Sequence, residues 1–171
     1  MIFNSLAFAV FLPIVLAVYY RLSRRSQNVW LLAASWFFYG WWDARFLILL
    51  GISTIVDFVC GQRIETATDE RVRRRYLTIS LCCNLGLLGF FKYFNFFVDT
   101  AAAALASIGF DVSAPTLQIV LPVGISFYTF QTLSYTIDVY RGKTRAERSL
   151  VAFALYVAYF PQLVAGPIER A

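Results

Sequence analysis

The sequence predicts an all-α fold, a polytopic membrane helical bundle of about six transmembrane or re-entrant helices. Of its 171 residues, 60% are hydrophobic and only 15% are charged, and the mean hydropathy of +0.65 lies outside the usual range of soluble domains. The charges leave several uncharged runs close to the roughly 20 residues that a helix needs to cross hydrocarbon. The basic residues lie between these runs, so the net charge of +5 does not indicate nucleic-acid binding.

These runs place six helices in one membrane domain, residues 1–171, with no soluble domain. The predicted helices are Ile2 to Tyr20, Ser26 to Trp42, Phe46 to Gln62, Tyr76 to Val98, Pro115 to Ile137 and Ser149 to Ile168.

Each helix has its own justification. The first and second carry no charge, and the second ends in Trp41 and Trp42, whose rings suit the headgroup region. The third and fourth each hold one internal charge, Asp57 and Lys92. Because a charge in hydrocarbon is unfavourable, we expect both to face protein, although Asp57 could reach the interface and Lys92 could snorkel to it. Arg71 to Arg75 are expected to begin a short surface helix that meets anionic lipid.

The loops between the predicted helices differ in charge. Twelve of the fifteen Lys and Arg residues lie in the first, third and fifth loops. The positive-inside rule places those loops in the cytoplasm and the N-terminus outside.

The fifth helix carries a polar stripe. At helical spacing, Gly124, Tyr128, Gln131, Tyr135 and Asp138 share one face. Unpaired polar groups are unfavourable in lipid, so this face must meet neighbouring helices or a wet cavity. Packing between helices and a substrate cavity are both compatible with it, and Pro122 slightly favours the cavity because broken helices line such spaces.

The last helix is interrupted. Its motif FPQLVAGPIER includes Pro161, Gln162, Gly166, Pro167, Glu169 and Arg170, which are weaker functional candidates. We expect a re-entrant or interfacial turn here rather than one straight crossing.

Five stretches together resemble one protein family. They are NSLAFAVFLP (residues 4–13), FFYGWWD (37–43), FFKYFNFF (90–97), LPVGISFYTFQTLSYTIDVYRG (121–142) and FPQLVAGPIER (160–170). They are similar to the membrane-bound O-acyltransferase family, in its bacterial alginate O-acetyltransferase-like branch. The resemblance implies the N-terminal portion of such an enzyme, with an incomplete version of the family's fold.

The resemblance also implies an activity and its partners. A member transfers an acyl group, often acetyl, from a cytoplasmic donor such as acetyl-CoA or another acyl carrier to an extracellular or periplasmic polysaccharide such as alginate. We therefore expect a multi-pass protein of the bacterial inner membrane, in contact with lipid and with accessory proteins that complete the transfer. Tyr128, Gln131, Tyr135 and Asp138 would line the family's tunnel or support its wall.

One feature departs from the family. Members carry a functional histidine in a later hydrophobic segment, whereas this chain has no histidine. Histidine is the side chain whose ordinary pKa best suits proton transfer near neutral pH. We therefore expect this chain alone to be inactive, and we assign no catalytic residue, metal site or bound cofactor. A transporter or pore component, indicated by Asp57 and Lys92, and a non-catalytic membrane scaffold are the alternatives.

Overall fold

The computed structural model describes residues 5–41, 43–109 and 124–165. They form seven helical segments, of which the last two are the halves of one interrupted helix, and no β-strand occurs among them. The segments are α1 (Leu6–Tyr19), α2 (Arg24–Gly40), α3 (Arg45–Thr66), α4 (Glu70–Ser107), α5 (Ile125–Tyr140), α6 (Leu150–Ala158) and α7 (Phe160–Ala165). The predicted all-α class is confirmed.

Local capping explains where several helices begin. The Ser5 hydroxyl accepts a hydrogen bond from the backbone N–H of Phe8 and caps α1, and Ser149 does the same for α6. Helix α5 begins after Gly124, whose φ of 77° lies in the left-handed region that favours glycine. The part of the predicted fifth helix from Pro115 to Val123 lies outside the described residues.

Helix α4 is longer than predicted. It begins at Glu70 rather than Tyr76 and ends at Ser107 rather than Val98, so Arg71 to Arg75 form its first turns and not a separate surface helix. The Asp69 carboxylate caps it by accepting from the N–H of Arg71. With 38 residues it is about 57 Å long, well beyond the roughly 30 Å of a hydrocarbon core.

The predicted interruption of the last helix is confirmed. Tyr159 separates α6 from α7 with φ −58° and ψ 111°, two residues before Pro161. A proline has no N–H to donate to the carbonyl four residues earlier, so α6 could not continue regularly through Pro161.

The core of the bundle is the contact of α3, α4 and α5, with α6 packed against α2, α3 and α5. The main apolar cluster includes Leu50, Ile64, Leu88, Tyr128 and Phe153. A second cluster joins α1, α2 and α7 through Val15, Phe38 and Phe160.

The outer surface of the bundle is apolar. On α3, Ile48, Ile52, Ile55 and Val59 are exposed at spacings of four, three and four residues, whereas Ser53, Thr54 and Asp57 are buried. This is the reverse of a soluble amphipathic helix and matches a membrane helical bundle. By length and composition, α3 and α4 are long and apolar enough to cross a membrane, and α1 and the interrupted α6–α7 helix are apolar but shorter.

Candidate functional site: a polar core between helices

The predicted stripe on α5 faces the protein. Tyr128, Gln131 and Tyr135 are each buried. The Gln131 side-chain amide donates a hydrogen bond of 2.9 Å to the backbone carbonyl of Tyr156 and so ties α5 to α6. Its side-chain carbonyl oxygen is buried without a partner among the described residues. The structure therefore brings these three predicted residues into the interior, and their roles in function stay predictions.

Tyr135 joins α5 to α3 and to the loop before α6. Its hydroxyl accepts a 3.0 Å hydrogen bond from the backbone N–H of Glu147. A Cβ atom at Gly61 of α3 would lie only 2.9 Å from the same hydroxyl. A residue without a side chain is thus required where the Tyr135 ring meets α3.

The other predicted residues are divided between described and undescribed parts of the chain. Asp138 is half-buried in the last turn of α5. Its backbone carbonyl accepts a 2.9 Å hydrogen bond from the N–H of Lys143, which closes the turn that follows the helix. Pro161 and Gln162 lie in α7, where the Gln162 side-chain nitrogen is buried without a partner among the described residues. The remaining candidates lie outside the described residues: Gly166, Pro167, Glu169 and Arg170.

A second polar face of α5 was not predicted. Thr129, Thr132 and Thr136 are all buried at helical spacing, and the Thr132 side chain faces α4, whereas Gln131 contacts α6. The Thr132 hydroxyl lies 3.4 Å from the side-chain oxygen of Asn84 on α4. Their spacing of three and four residues was visible in the sequence, but threonine is common on apolar helices and gave no reason to choose this face.

Asp57 and Asn84 form the centre of this second face. The Asn84 side-chain nitrogen lies 2.9 and 2.8 Å from the two carboxylate oxygens of Asp57, and the Ser80 hydroxyl donates to one of them at 2.5 Å. The Asn84 oxygen accepts a 2.8 Å hydrogen bond from Ser53. We call Ser53, Asp57, Ser80, Asn84 and Thr132 the Asp57 network.

The Asp57 network explains how a charge can lie inside an apolar bundle. Asp57 is 0% exposed, so the prediction that it faces protein is confirmed, and reaching the interface is excluded. A buried carboxylate without a cation is tolerated when hydrogen bonds replace its lost hydration. Neither ion pair among the described residues involves Asp57.

Lys92 behaves differently from Asp57. Its side chain is exposed on the outer surface of α4, with the ammonium group 5.5 Å from the centroid of the Tyr93 ring. The expectation that it faces protein is therefore wrong, because the long, flexible stem lets the ammonium stay at the surface and approach an aromatic face.

Two basic loops meet at one end of the bundle. The Arg73 guanidinium, near the start of α4, donates to the backbone carbonyl of Tyr140 at the end of α5 and lies 5.2 Å from the centroid of its ring. The Tyr140 hydroxyl donates to Glu70, which also pairs with Arg73. The third and fifth predicted loops, both rich in arginine, therefore lie on the same side, as the charge pattern requires.

The motif FFYGWWD ends in a salt bridge at the start of α3. The Arg45 guanidinium approaches the Asp43 carboxylate to 2.7 Å, and its hydrogen bonds lower the pKa of that carboxyl group. The contact is local, because the two residues are neighbours at the start of α3.

The side chains of this site offer hydrogen-bond donors and acceptors. No three His, Cys, Asp or Glu side chains come together in the described ranges. Buried polar atoms without partners there are Gln131 Oε1, Thr129 Oγ1, Ser134 Oγ and Gln162 Nε2. Such atoms need water or a polar ligand, so the interior of the bundle offers both donors and acceptors along α5 and α7.

Comparison with curated proteins identifies relatives. Over 99% of its length the chain is 45% identical to a probable alginate O-acetylase of Azotobacter vinelandii and 44% identical to one of Pseudomonas aeruginosa. The chain is related to the alginate O-acetylases. It is also 32% identical, over 98% of its length, to a peptidoglycan O-acetyltransferase of Helicobacter pylori. The predicted resemblance is confirmed.

The match covers only part of these relatives. The chain spans about a third of the length of the alginate O-acetylases, at 34% and 33%. No protein-family model and no solved structure matches the chain.

Proposed function

We propose that this chain is the N-terminal portion of a membrane-bound O-acetyltransferase that acts on hydroxyl groups of a polysaccharide outside the cytoplasm. The observation that carries the proposal is the identity of 40 to 45% over 99% of the chain with five proteins named as probable alginate O-acetylases. The more distant peptidoglycan O-acetyltransferase shares the same reaction type by name. Acetyl transfer to a polysaccharide is the function common to both names.

The buried polar face of α5 supports this proposal. An acetyl group that moves from a donor on one side of the membrane to an acceptor on the other needs a polar route through an apolar protein. Within the described part of the chain, the side-chain carbonyl oxygen of Gln131 and the side-chain nitrogen of Gln162 are buried without a hydrogen-bond partner. We assign Tyr128, Gln131, Tyr135 and Asp138 to the wall of that route.

The proton-transfer group belongs elsewhere in the enzyme. In the reaction the acceptor oxygen forms an ester bond to the acetyl carbon while the bond between the acetyl group and its carrier breaks and the carrier leaves. The hydroxyl proton passes to a base of suitable pKa. The chain has no histidine, and it covers about a third of the relatives' length. We therefore assign the base to a part of the enzyme not covered by these residues, and we propose that residues 1–171 alone do not catalyse transfer.

Orientation and partners follow the same proposal. The enzyme is a multi-pass protein of the bacterial inner membrane with its N-terminus outside and its arginine-rich loops in the cytoplasm next to anionic lipid. The acetyl donor, acetyl-CoA or another acyl carrier, approaches from the cytoplasm. Accessory proteins on the opposite side pass the acetyl group to the polysaccharide.

The test compares two lengths of the protein in one host that makes the acceptor polysaccharide. One strain produces the whole natural reading frame that contains this sequence, and the other produces residues 1–171. We expect alkali-labile acetyl esters on the polysaccharide only in the first strain. If the whole protein makes no ester but moves a solute across liposomes, the transporter alternative replaces the proposal. Ester formation by residues 1–171 would refute the assignment of the base.

A further inference from the structure

Asp57 and Asn84 connect three helices at one point. Among the described residues, Asp57 is the only charged residue that is fully buried. Asn84 lies beside it and is also 0% exposed. Asp57 lies on α3, Asn84 on α4, and the Thr132 hydroxyl of α5 lies 3.4 Å from the Asn84 side-chain oxygen. The contact therefore lies where the three central helices of the bundle meet.

The two ends of the Asn84 side-chain amide bind different partners. The nitrogen faces both Asp57 oxygens, at 2.9 and 2.8 Å, and the oxygen accepts from Ser53 at 2.8 Å. Because a carboxylate only accepts hydrogen bonds, it fixes which end of the amide points toward Asp57. The amide oxygen is then held toward the hydroxyls of Ser53 and Thr132.

This arrangement reaches the candidate site through α5. Thr132 is the residue next to Gln131, and the two side chains point in different directions, one toward Asn84 and the other toward the Tyr156 carbonyl of α6. A helix is rigid over two residues, so holding Thr132 toward α4 sets where Gln131 points.

We propose that Asp57 and Asn84 are a positioning pair, which fixes the rotation of α5 so that the face with Gln131 and Tyr135 is held against α3 and α6. The inference rests on the proposed function, because the pair acts on the face assigned to the acetyl route.

The experiment exchanges the two side chains in the whole natural protein. The variants are Asp57→Asn, Asn84→Asp and the double exchange Asp57→Asn with Asn84→Asp. Each is measured for the folded fraction and thermal midpoint in detergent, and for acetyl transfer per folded enzyme in membranes. The exchange keeps the same two side chains and reverses which helix carries the charge.

The expected order of the variants follows from the hydrogen bonds. Asn84→Asp places two carboxylates in contact, so we expect the largest loss, on the order of a hundredfold in transfer per folded enzyme, the size that a shift of about 1 Å can have. Asp57→Asn leaves an amide at both positions, each with a donor and an acceptor group. We therefore expect its loss of transfer per folded enzyme to be smaller than that of Asn84→Asp. Adding Asp57→Asn to Asn84→Asp restores donor-to-acceptor pairing, and we expect activity to rise by about tenfold.

A gain from the second substitution is the decisive result. Two independent defects would instead add, and a double variant no better than Asn84→Asp would overturn the pairing. If Asn84→Asp does not accumulate, recovery of folded protein in the double variant serves as the same test. Full transfer per folded enzyme in both single variants would leave a purely structural pair and overturn the positioning role.

A matched control and the wild-type protein separate the possible failures. Thr54→Val removes a buried hydroxyl of α3 whose hydrogen bond, 2.7 Å to the Leu50 carbonyl, stays within its own helix. We expect it to leave transfer within about twofold of wild type. If the wild-type whole protein transfers no acetyl, the proposed function fails, and the thermal midpoints alone then decide whether the two residues are paired.

Discussion

Gly61 allows the hydroxyl of Tyr135 to lie against the backbone of α3. Gly61→Ala would place a Cβ 2.9 Å from that hydroxyl and 3.0 Å from a ring carbon, closer than packed atoms allow. The ring cannot easily yield, because its hydroxyl also binds the backbone N–H of Glu147. We expect Gly61→Ala to destabilise the protein by about 1 to 3 kcal/mol, measured as a lower thermal midpoint in detergent.

Gly51 provides the matched control for this prediction. It lies in the same helix, and a Cβ there would meet nothing within 4 Å. Gly51→Ala should therefore keep the thermal midpoint or raise it, because alanine favours a helix over glycine by up to about 1 kcal/mol of stability. Equal effects at both positions would show that the Tyr135 contact is not close in the protein.

Substitutions at Gln131 and Asp138 test the proposed acetyl route through the bundle. Gln131→Leu removes the 2.9 Å hydrogen bond to the Tyr156 carbonyl and the unpartnered oxygen. In the whole enzyme we expect acetyl transfer to fall roughly fivefold or more while membrane abundance changes less. Asp138→Leu should act in the same direction. Phe130→Leu, on the exposed side of α5, is the control, and equal losses of transfer and abundance would indicate a folding role instead.

At the residue scale, periodicity could predict burial but not pairing. The spacing of Tyr128, Gln131 and Tyr135 was sufficient to place them inside, because polar groups avoid lipid whichever helix covers them. The partner of Asp57 could not be predicted in this way. Asn84 is 27 residues away on another helix, and only the packing of α3 on α4 brings the two together.

The break between α6 and α7 is satisfied by a hydrogen bond to α2. The break at Tyr159 leaves the N–H of Phe160 without a helical partner, and the Ser35 hydroxyl of α2 accepts it at 3.3 Å. Ser35 is 0% exposed, so no bulk water can replace that hydroxyl. We expect Ser35→Ala to lower stability by about 1 to 3 kcal/mol, the size of leaving one buried donor unsatisfied.

Ser26 is the control for this prediction. It is an exposed serine of the same helix, and its hydroxyl lies 3.2 Å from that of Ser23. Ser26→Ala should change the thermal midpoint little. If Ser35→Ala is equally mild, the connection between α6 and α7 does not depend on the hydroxyl.

At the element scale, hydrophobicity located the helices better than their ends. The predicted fourth helix stopped at the last strongly apolar residues, because a membrane criterion rejects Arg71 to Arg75 and the weakly apolar stretch after Val98. A helix is not limited by hydrocarbon thickness, however. Asp69 caps it before the arginines, and the run Ala101 to Ala104 favours helix strongly beyond the apolar part.

At the scale of the whole molecule, the buried and exposed faces are reversed relative to a soluble protein. Asp57, Asn84 and the threonines of α5 are inside, while Phe96, Phe97 and Ile48 are among the most exposed large hydrophobic residues. An apolar solvent explains both the buried polar residues and the exposed apolar ones, because exposed Phe and Ile are favourable in lipid and unpaired polar groups are not. The composition alone predicted this environment, but which polar residues would meet required the structure.

Orientation in the membrane is the last prediction, and it follows from the end at which the basic loops meet. Arg73 contacts Tyr140, and the Gln62 side chain lies 3.5 Å from the carbonyl of Glu147, so the loops after α3 and α5 lie on one side. The positive-inside rule places that side in the cytoplasm. In a protein whose native cysteines are replaced, Thr68→Cys and Lys143→Cys should react with a membrane-impermeant maleimide in inside-out vesicles. Ser107→Cys, at the other end of α4, should react in right-side-out vesicles. Reaction of Thr68→Cys and Lys143→Cys on opposite sides would contradict the packing, whereas a joint reversal of all three would contradict only the assigned orientation.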